Sequence, residues 1–194
     1  MEDPEEPVPA TSRCRWYAVH GPGLAGEAEG IVMTYPIDAF TAVDADQAQP
    51  GTFYFDGQGQ WFLAAQRNGS RSPGALRLTR SGGALIGTYV GNASGQAFSV
   101  ASPYAVQVTV DDYASLATDG QFLGSILVGS PHTIFAAEQE QILFGLDGLE
   151  RGDDAPTSRR WRYLRWSAWL VDSTGRSVGP SPLFSVDVAA NVDA

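Results

Sequence analysis

The stretch Gly51–Tyr89 reads GTFYF-DGQGQ-WFLAAQ-RNGSRSPG-ALRLTR-SGG-ALIGTY. Its apolar or alternating runs, GTFYF, WFLAAQ, ALRLTR and ALIGTY, are each a strand's length and too short for helices. Between them stand Asp56-Gly57, Asn68-Gly69 and Gly82-Gly83, dipeptides that tolerate positive φ in tight turns. The reading is an antiparallel meander at the centre of an all-β protein. Trp61 follows the first turn and faces Phe53-Tyr54-Phe55 across the hairpin, so it is expected in the core.

Working outward, the same grammar repeats. Arg13–His20 (RCRWYAVH) alternates as a first strand, and Ile31–Tyr35 and Ile37–Val43 follow, broken by Pro36, which cannot donate to a central ladder. Asp44–Pro50 is polar and turn-like, and Gln96–Val100 extends the meander. Pro103 marks a seam. Beyond it, Tyr104–Val110 puts Ala105, Gln107 and Thr109 on one face and Tyr104, Val106, Val108 and Val110 on the other. Asp111 caps a short helical turn through Tyr113, Ala114 and Leu116, and Phe122–Val128 is again a strand. Residues 131–146 read as a helix or as two strands joined across EQEQ, with the hairpin favoured by its neighbours. In Arg160–Val171 (RWRYLRWSAWLV), Trp161, Tyr163, Arg165, Ser167, Trp169 and Val171 share one face. Arg162, Leu164, Trp166, Ala168 and Leu170 share the other. Leu183–Val188 is the last strand.

The expected architecture is an antiparallel β-sandwich or barrel with at most one or two short helices. Residues 1–12, acidic and Pro-rich, form a flexible arm. Residues 13–102 are the meander region, 103–190 a second β region that continues it or stands apart, and 191–194 a frayed tail.

With 194 residues, 43% of them hydrophobic and 18% charged, the chain can bury a real core and is not of disordered type. The net charge of −10 argues against general affinity for nucleic acid or anionic membranes, which need a positive field. All twelve basic residues are Arg, so no mechanism that needs a lysine is open. Cys14 is the single cysteine, which leaves no internal disulfide and no thiolate cluster. The start, MEDPEEPVPATS, reverses the basic-then-apolar order of a signal peptide, and no run approaches the ~20 apolar residues of a membrane span.

No catalytic constellation declares itself. His20 and His132 have no Gly-x-Ser-x-Gly elbow beside them and no second ligand at metal spacing. Asp44-Ala-Asp46, Asp111-Asp112 and Asp153-Asp154 do not fit the EF-hand loop and read as solvated turn acids. Gly87–Gly95 has glycines but no Lys and no following helix, so it is not a phosphate loop. No cofactor and no metal is expected. The candidate contact surface is the Arg/Trp segment, with Arg159, Arg160, Arg162, Arg165 and Trp166 as partner-contact residues. Arg and Trp are enriched at protein interfaces.

Tyr163–Val171, Asp172-Ser-Thr-Gly175 and Ser177-Val-Gly-Pro-Ser181 together resemble the closing strands of a fibronectin type III domain. That resemblance implies a sandwich and no functional residue. In general style (Gly/Ala-rich, Lys-free, short β-units with polar loops) the chain resembles virion structural proteins of tailed phages or phage-like particles. That implies a non-enzymatic structural or adaptor module, tail- or capsid-associated. Its expected partners are other subunits in a homo-oligomer, without nucleic acid or membrane insertion, and its expected place is a virion or other extracellular particle, otherwise the cytoplasm. The alternative is a carbohydrate- or receptor-binding module that presents Trp61, Trp166 or Tyr89 to a glycan.

Overall fold

The hairpin at the start of the quoted stretch forms because continuous aromatic and apolar runs stand on both sides of a polar turn and are buried on both faces of the sheet. In the computed structural model, which describes residues 35–80, 86–110, 114–116, 123–128, 134–136, 142–151 and 161–188, β2 (Phe53–Asp56) pairs antiparallel with β3 (Trp61–Ala65), Phe55 opposite Trp61. The turn is closed by Asp56, whose Oδ1 accepts from the amides of Gln58 and Gln60, both at 2.9 Å. The left-handed residue is Gly59, at φ 77°, and not Gly57 as the Asp-Gly pair implies. The Asx contacts lengthen the loop past the tight two-residue form. Gly69 does take positive φ, at 78°, between β3 and β4 (Gly74–Arg77), while Gly82-Gly83 lies outside the described residues.

Beyond β5 (Tyr89–Gly91) the meander breaks. β6 (Gln96–Val100) does not add beside β5. It inserts between β2 and β1 (Phe40–Asp44), giving the order β1-β6-β2-β3-β4-β5, antiparallel throughout. There Phe98 stacks on Phe55, centroids 5.5 Å apart, and Phe40 meets Phe55 edge-on at 5.4 Å. Aromatic packing of this kind is worth about 0.5–1.5 kcal/mol per pair beyond area burial.

A second six-stranded sheet has the order β12-β11-β10-β9-β13-β8. Its strands are β8 (Ala114–Leu116), β9 (Ile126–Leu127), β10 (Ile134–Ala136), β11 (Leu143–Gly145), β12 (Glu150–Arg151) and β13 (Trp161–Tyr163). The hairpin reading of 131–146 is borne out by the antiparallel pairing of β10 with β11. The helical turn expected at Ala114 and Leu116 is not, because those residues pair with β13 as a strand. A third sheet holds β7 (Ala105–Val110), β14 (Arg165–Val171) and β15 (Phe184–Asp187), in the order β15-β14-β7. Two 3-10 turns, Ile37–Ala39 and Ala45–Gln47, are the described helical content, and none of the three sheets closes into a barrel. Ile37 therefore opens a turn instead of the expected strand, which starts at Phe40.

One core joins the sequence regions on either side of Pro103. Phe53, Phe55, Trp61 and Leu63 of the first sheet, Ile126 and Phe144 of the second, and Trp166, Leu170, Phe184 and Val186 of the third belong to a single buried cluster. Phe184 is its hub, 5.0 Å from Trp61, 5.6 Å from Trp166 and 6.2 Å from Phe53, ring centre to ring centre. Trp61 is 7% exposed, as expected of a core residue. The first sheet is also covered on its other face, where Tyr54, Ala64, Ala75 and Ala97 pack under Ala45 and Ala48.

The first two sheets are stitched at Gln66. Its amide donates to the Gly148 carbonyl at 2.8 Å, and its carbonyl accepts from the Glu150 amide at 3.1 Å. Gly148, at φ 73°, sits so close to the Ala64 carbonyl and the Gly51 amide that no side chain fits there.

Candidate interaction surface

The Arg/Trp segment is not one strand but two. β13 and β14 are separated at Leu164, whose carbonyl accepts from Val188 at 2.9 Å. β13 serves the second sheet, pairing with β8 and β9, and β14 serves the third, pairing with β7 and β15. The two-residue period survives the break: Arg162, Trp166, Ala168 and Leu170 are buried on one side.

That inward face overturns two of the expected contact residues. Trp166 is 1% exposed and donates its Nε1 proton to the Gly124 carbonyl at 2.8 Å. Arg162 is 6% exposed, and its guanidinium donates from one terminal nitrogen to Ser125 Oγ at 3.2 Å. Its Nε is buried with no partner, and burial pulls the guanidinium pKa below its ordinary value. Neither side chain can meet another protein without the core opening. Arg165 does lie outside and pairs with Asp187 across the strands at 3.1 Å. Arg159 and Arg160 lie outside the described residues, as do Cys14, His20, His132, Asp111-Asp112, Asp153-Asp154 and the arm at 1–12.

The aromatics proposed for a glycan fare similarly. Trp61 and Trp166 are interior. Tyr89 is half-buried and stacked on Phe144, centroids 5.4 Å apart and planes within 7°. The exposed tryptophan of the segment is Trp161, at 51%. Asp44, at the end of β1, and Asp46, in the 3-10 turn that follows, are exposed, and no group of three or more metal-capable side chains converges among the described residues. No described helix is long and apolar enough to cross a membrane.

What the geometry does present is the three-stranded sheet and a groove beside it. On the outer face, Ser167 and Ser185 share a hydrogen bond at 3.0 Å, and Trp169 Nε1 donates to Thr109 Oγ1 at 3.1 Å. With Ala105 and Gln107 alongside, this face is polar but uncharged until the Arg165–Asp187 pair at its end. On the other side, Val106 and Val108 are only half-covered, and with Tyr104, Phe53, Val100 and Leu146 they line an open groove of about 460 Å³. Val110, at the end of β7, is 39% exposed. The signal for this surface was already in the alternation AVQVTV, with valines on one face and no charge on either.

Comparison with family models, with curated proteins and with solved structures finds no match for this chain.

Proposed function

We propose that this chain is a non-enzymatic structural or adaptor module of a large protein assembly, of the kind that builds the tail or capsid of a phage or phage-like particle. The observation that carries the proposal is the open apolar groove beside the uncharged edge of β7. A neutral, partly apolar surface with a backbone edge is of the type other proteins pack against. The chain's acidity elsewhere keeps unspecific contacts apart. On this reading the protein resides in a virion or similar particle and works through contacts with neighbouring subunits. The test is co-sedimentation of the native chain from its source, followed by immunodetection. The chain is expected in a fast-sedimenting particle at fixed copy number. Recovery only at the monomer's sedimentation rate contradicts the proposal.

A second reading, glycan binding, draws on Trp161 alone, because an exposed indole can stack on a sugar ring. It calls for quenching of tryptophan fluorescence by a glycan in the wild type and its loss in Trp161→Ala.

A further inference from the structure

Glycine follows an aspartate or asparagine at three places among the described residues: Asp56-Gly57, Asn68-Gly69 and Asp147-Gly148. At such pairs the glycine amide nitrogen, with no side chain beside it, can close onto the preceding side-chain carbonyl carbon. The fold opposes that closure at two of the three. Asp56 Oδ1 is held by the Gln58 and Gln60 amides, both at 2.9 Å. Asp147 is held by the Leu149 amide at 3.1 Å and by Arg151 at 2.6 Å, and the Gly148 amide bonds the Gly145 carbonyl at 2.9 Å. An ionised carboxylate is in any case a poorer electrophile than a carboxamide.

Asn68-Gly69 is left open. Both residues are exposed, at the tip of the turn between β3 and β4. The turn is braced around them: the Ser70 amide donates to the Arg67 carbonyl at 3.1 Å, Gln66 Nε2 donates to the Ser70 carbonyl, and the Asn68 amide donates to Glu150 Oε2 at 2.7 Å. The Asn68 carboxamide and the Gly69 N–H, electrophile and nucleophile, bond nothing among the described residues. Beyond its chain neighbours, no atom lies within 4 Å of the place a Gly69 side chain would take. The Asn68–Gly69 peptide therefore has room to swing towards the carboxamide. The other described asparagine, Asn92, is also exposed, but Ala93 follows it, and the buried Ala93 methyl crowds the attacking nitrogen.

We infer that Asn68 is a site of spontaneous deamidation that ages the joint between the first two sheets. The Gly69 amide nitrogen gives its proton to solvent and attacks Asn68 Cγ. The N–Cγ bond forms, the Cγ–Nδ2 bond breaks, and ammonia leaves with a proton taken from solvent. Water then opens the succinimide. Breaking the new N–Cγ bond gives aspartate. Breaking the bond from that nitrogen to the Asn68 backbone carbon gives isoaspartate, whose main chain runs through Cβ. One water is consumed and one ammonia released, and nothing is oxidised or reduced. Either product sets a new carboxylate beside Glu150, which holds the Asn68 amide and lies 3.8 Å from Arg67 Nε. Like charges so placed repel. Isoaspartate also lengthens the turn next to the bonds of Gln66 with Gly148 and Glu150. The inference stands apart from what the chain assembles with.

The test is prolonged incubation of the purified full-length chain at body temperature and mildly alkaline pH, for the wild type and Asn68→Gln. Peptide mass spectrometry follows each asparagine, and thermal unfolding follows the fold. Glutamine reaches the Gly69 nitrogen only through a larger ring that closes far more slowly, and it replaces a side chain with no bonds to lose. In the wild type the Asn68 peptide should exchange its amide for a carboxyl, partly as isoaspartate. It should do so at least ~10-fold faster than the Asn92 peptide, which asks for a barrier only about 1.4 kcal/mol lower. The thermal midpoint should fall as conversion proceeds and hold in Asn68→Gln. An Asn68 that stays intact, or converts no faster than Asn92, overturns the site. A midpoint that holds while Asn68 converts, or falls equally in Asn68→Gln, overturns its effect on the joint.

Discussion

Trp166→Phe separates a core residue from a contact residue. The indole is 1% exposed, packs edge-on to Phe184 at 5.6 Å and bonds the Gly124 carbonyl at 2.8 Å. Phenylalanine keeps a ring against Phe184 but has no N–H, so the carbonyl is left buried and unpaired, at a cost of about 1–3 kcal/mol. The smaller ring also leaves at least a methyl-sized void, which costs ~1 kcal/mol. The expected loss is about 2–4 kcal/mol, a large fraction of the roughly 5–15 kcal/mol that holds a domain folded. Trp166→Ala should lie at or above the upper end of the ~3–5 kcal/mol typical of such truncations. Urea unfolding followed by far-ultraviolet circular dichroism measures both as a lower midpoint at unchanged slope. A loss below ~0.5 kcal/mol for Trp166→Phe, the range of surface substitutions, would refute the inward assignment and restore Trp166 as a contact residue.

The remaining expectations concern groups that the fold holds under constraint. Arg162→Met removes a buried charge held by a serine hydroxyl and should leave the thermal midpoint unchanged or raise it; a fall of several degrees would mean that the buried guanidinium contributes net stability. Gly148→Ala puts a methyl into the Ala64 carbonyl and the Gly51 amide at positive φ, so it should cost well over ~1 kcal/mol and show as low soluble yield or a much lower midpoint. Desolvation by burial, then the Asp56 carboxylate, push the Tyr54 phenol from 10.0 up to about 12. A raised pKa means that the folded chain holds its proton longer than the unfolded one. The stability is fully present below pH 10 and is lost as pH rises through 12, by roughly 2–3 kcal/mol. Tyr54→Phe should flatten that alkaline slope, and an unchanged slope would show that other groups set it. Tyr35 and Tyr89, also raised chiefly by burial, contribute in the same direction.

Much of the fold was legible because period-two alternation fixes which residues share a face before any partner is known. The partition of Arg160–Val171 into two faces follows from it, while the Phe53–Ala65 hairpin was legible from two strand-length apolar runs about a turn. Where that alternation breaks was not legible. Leu164 looks like any other inward residue, yet it is where the chain leaves the second sheet for the third, a change set by the Val188 amide far along the chain. The place of β6 was hidden for the same reason, since Gln96–Val100 alternates equally well beside β5 or between β1 and β2. In the fold it pairs with β1 and β2, where Phe98 stacks on Phe55. Arg162 and Trp166 were placed among the contact residues because both faces of the Arg/Trp segment carry arginine and tryptophan. Composition could not say that Trp166 would enter the core while Trp161 stayed outside. The β7 surface was readable as a strand, but its openness depends on which strands decline to cover it, and that is a property of the whole topology.

The central claim, that the chain is a building block joined to its neighbours through specific surfaces, is tested most directly by the mass of the particle in which the native chain is found. Native mass spectrometry or sedimentation of material from its source should give a defined complex containing a fixed number of copies. A native chain recovered only as a monomer would contradict the account.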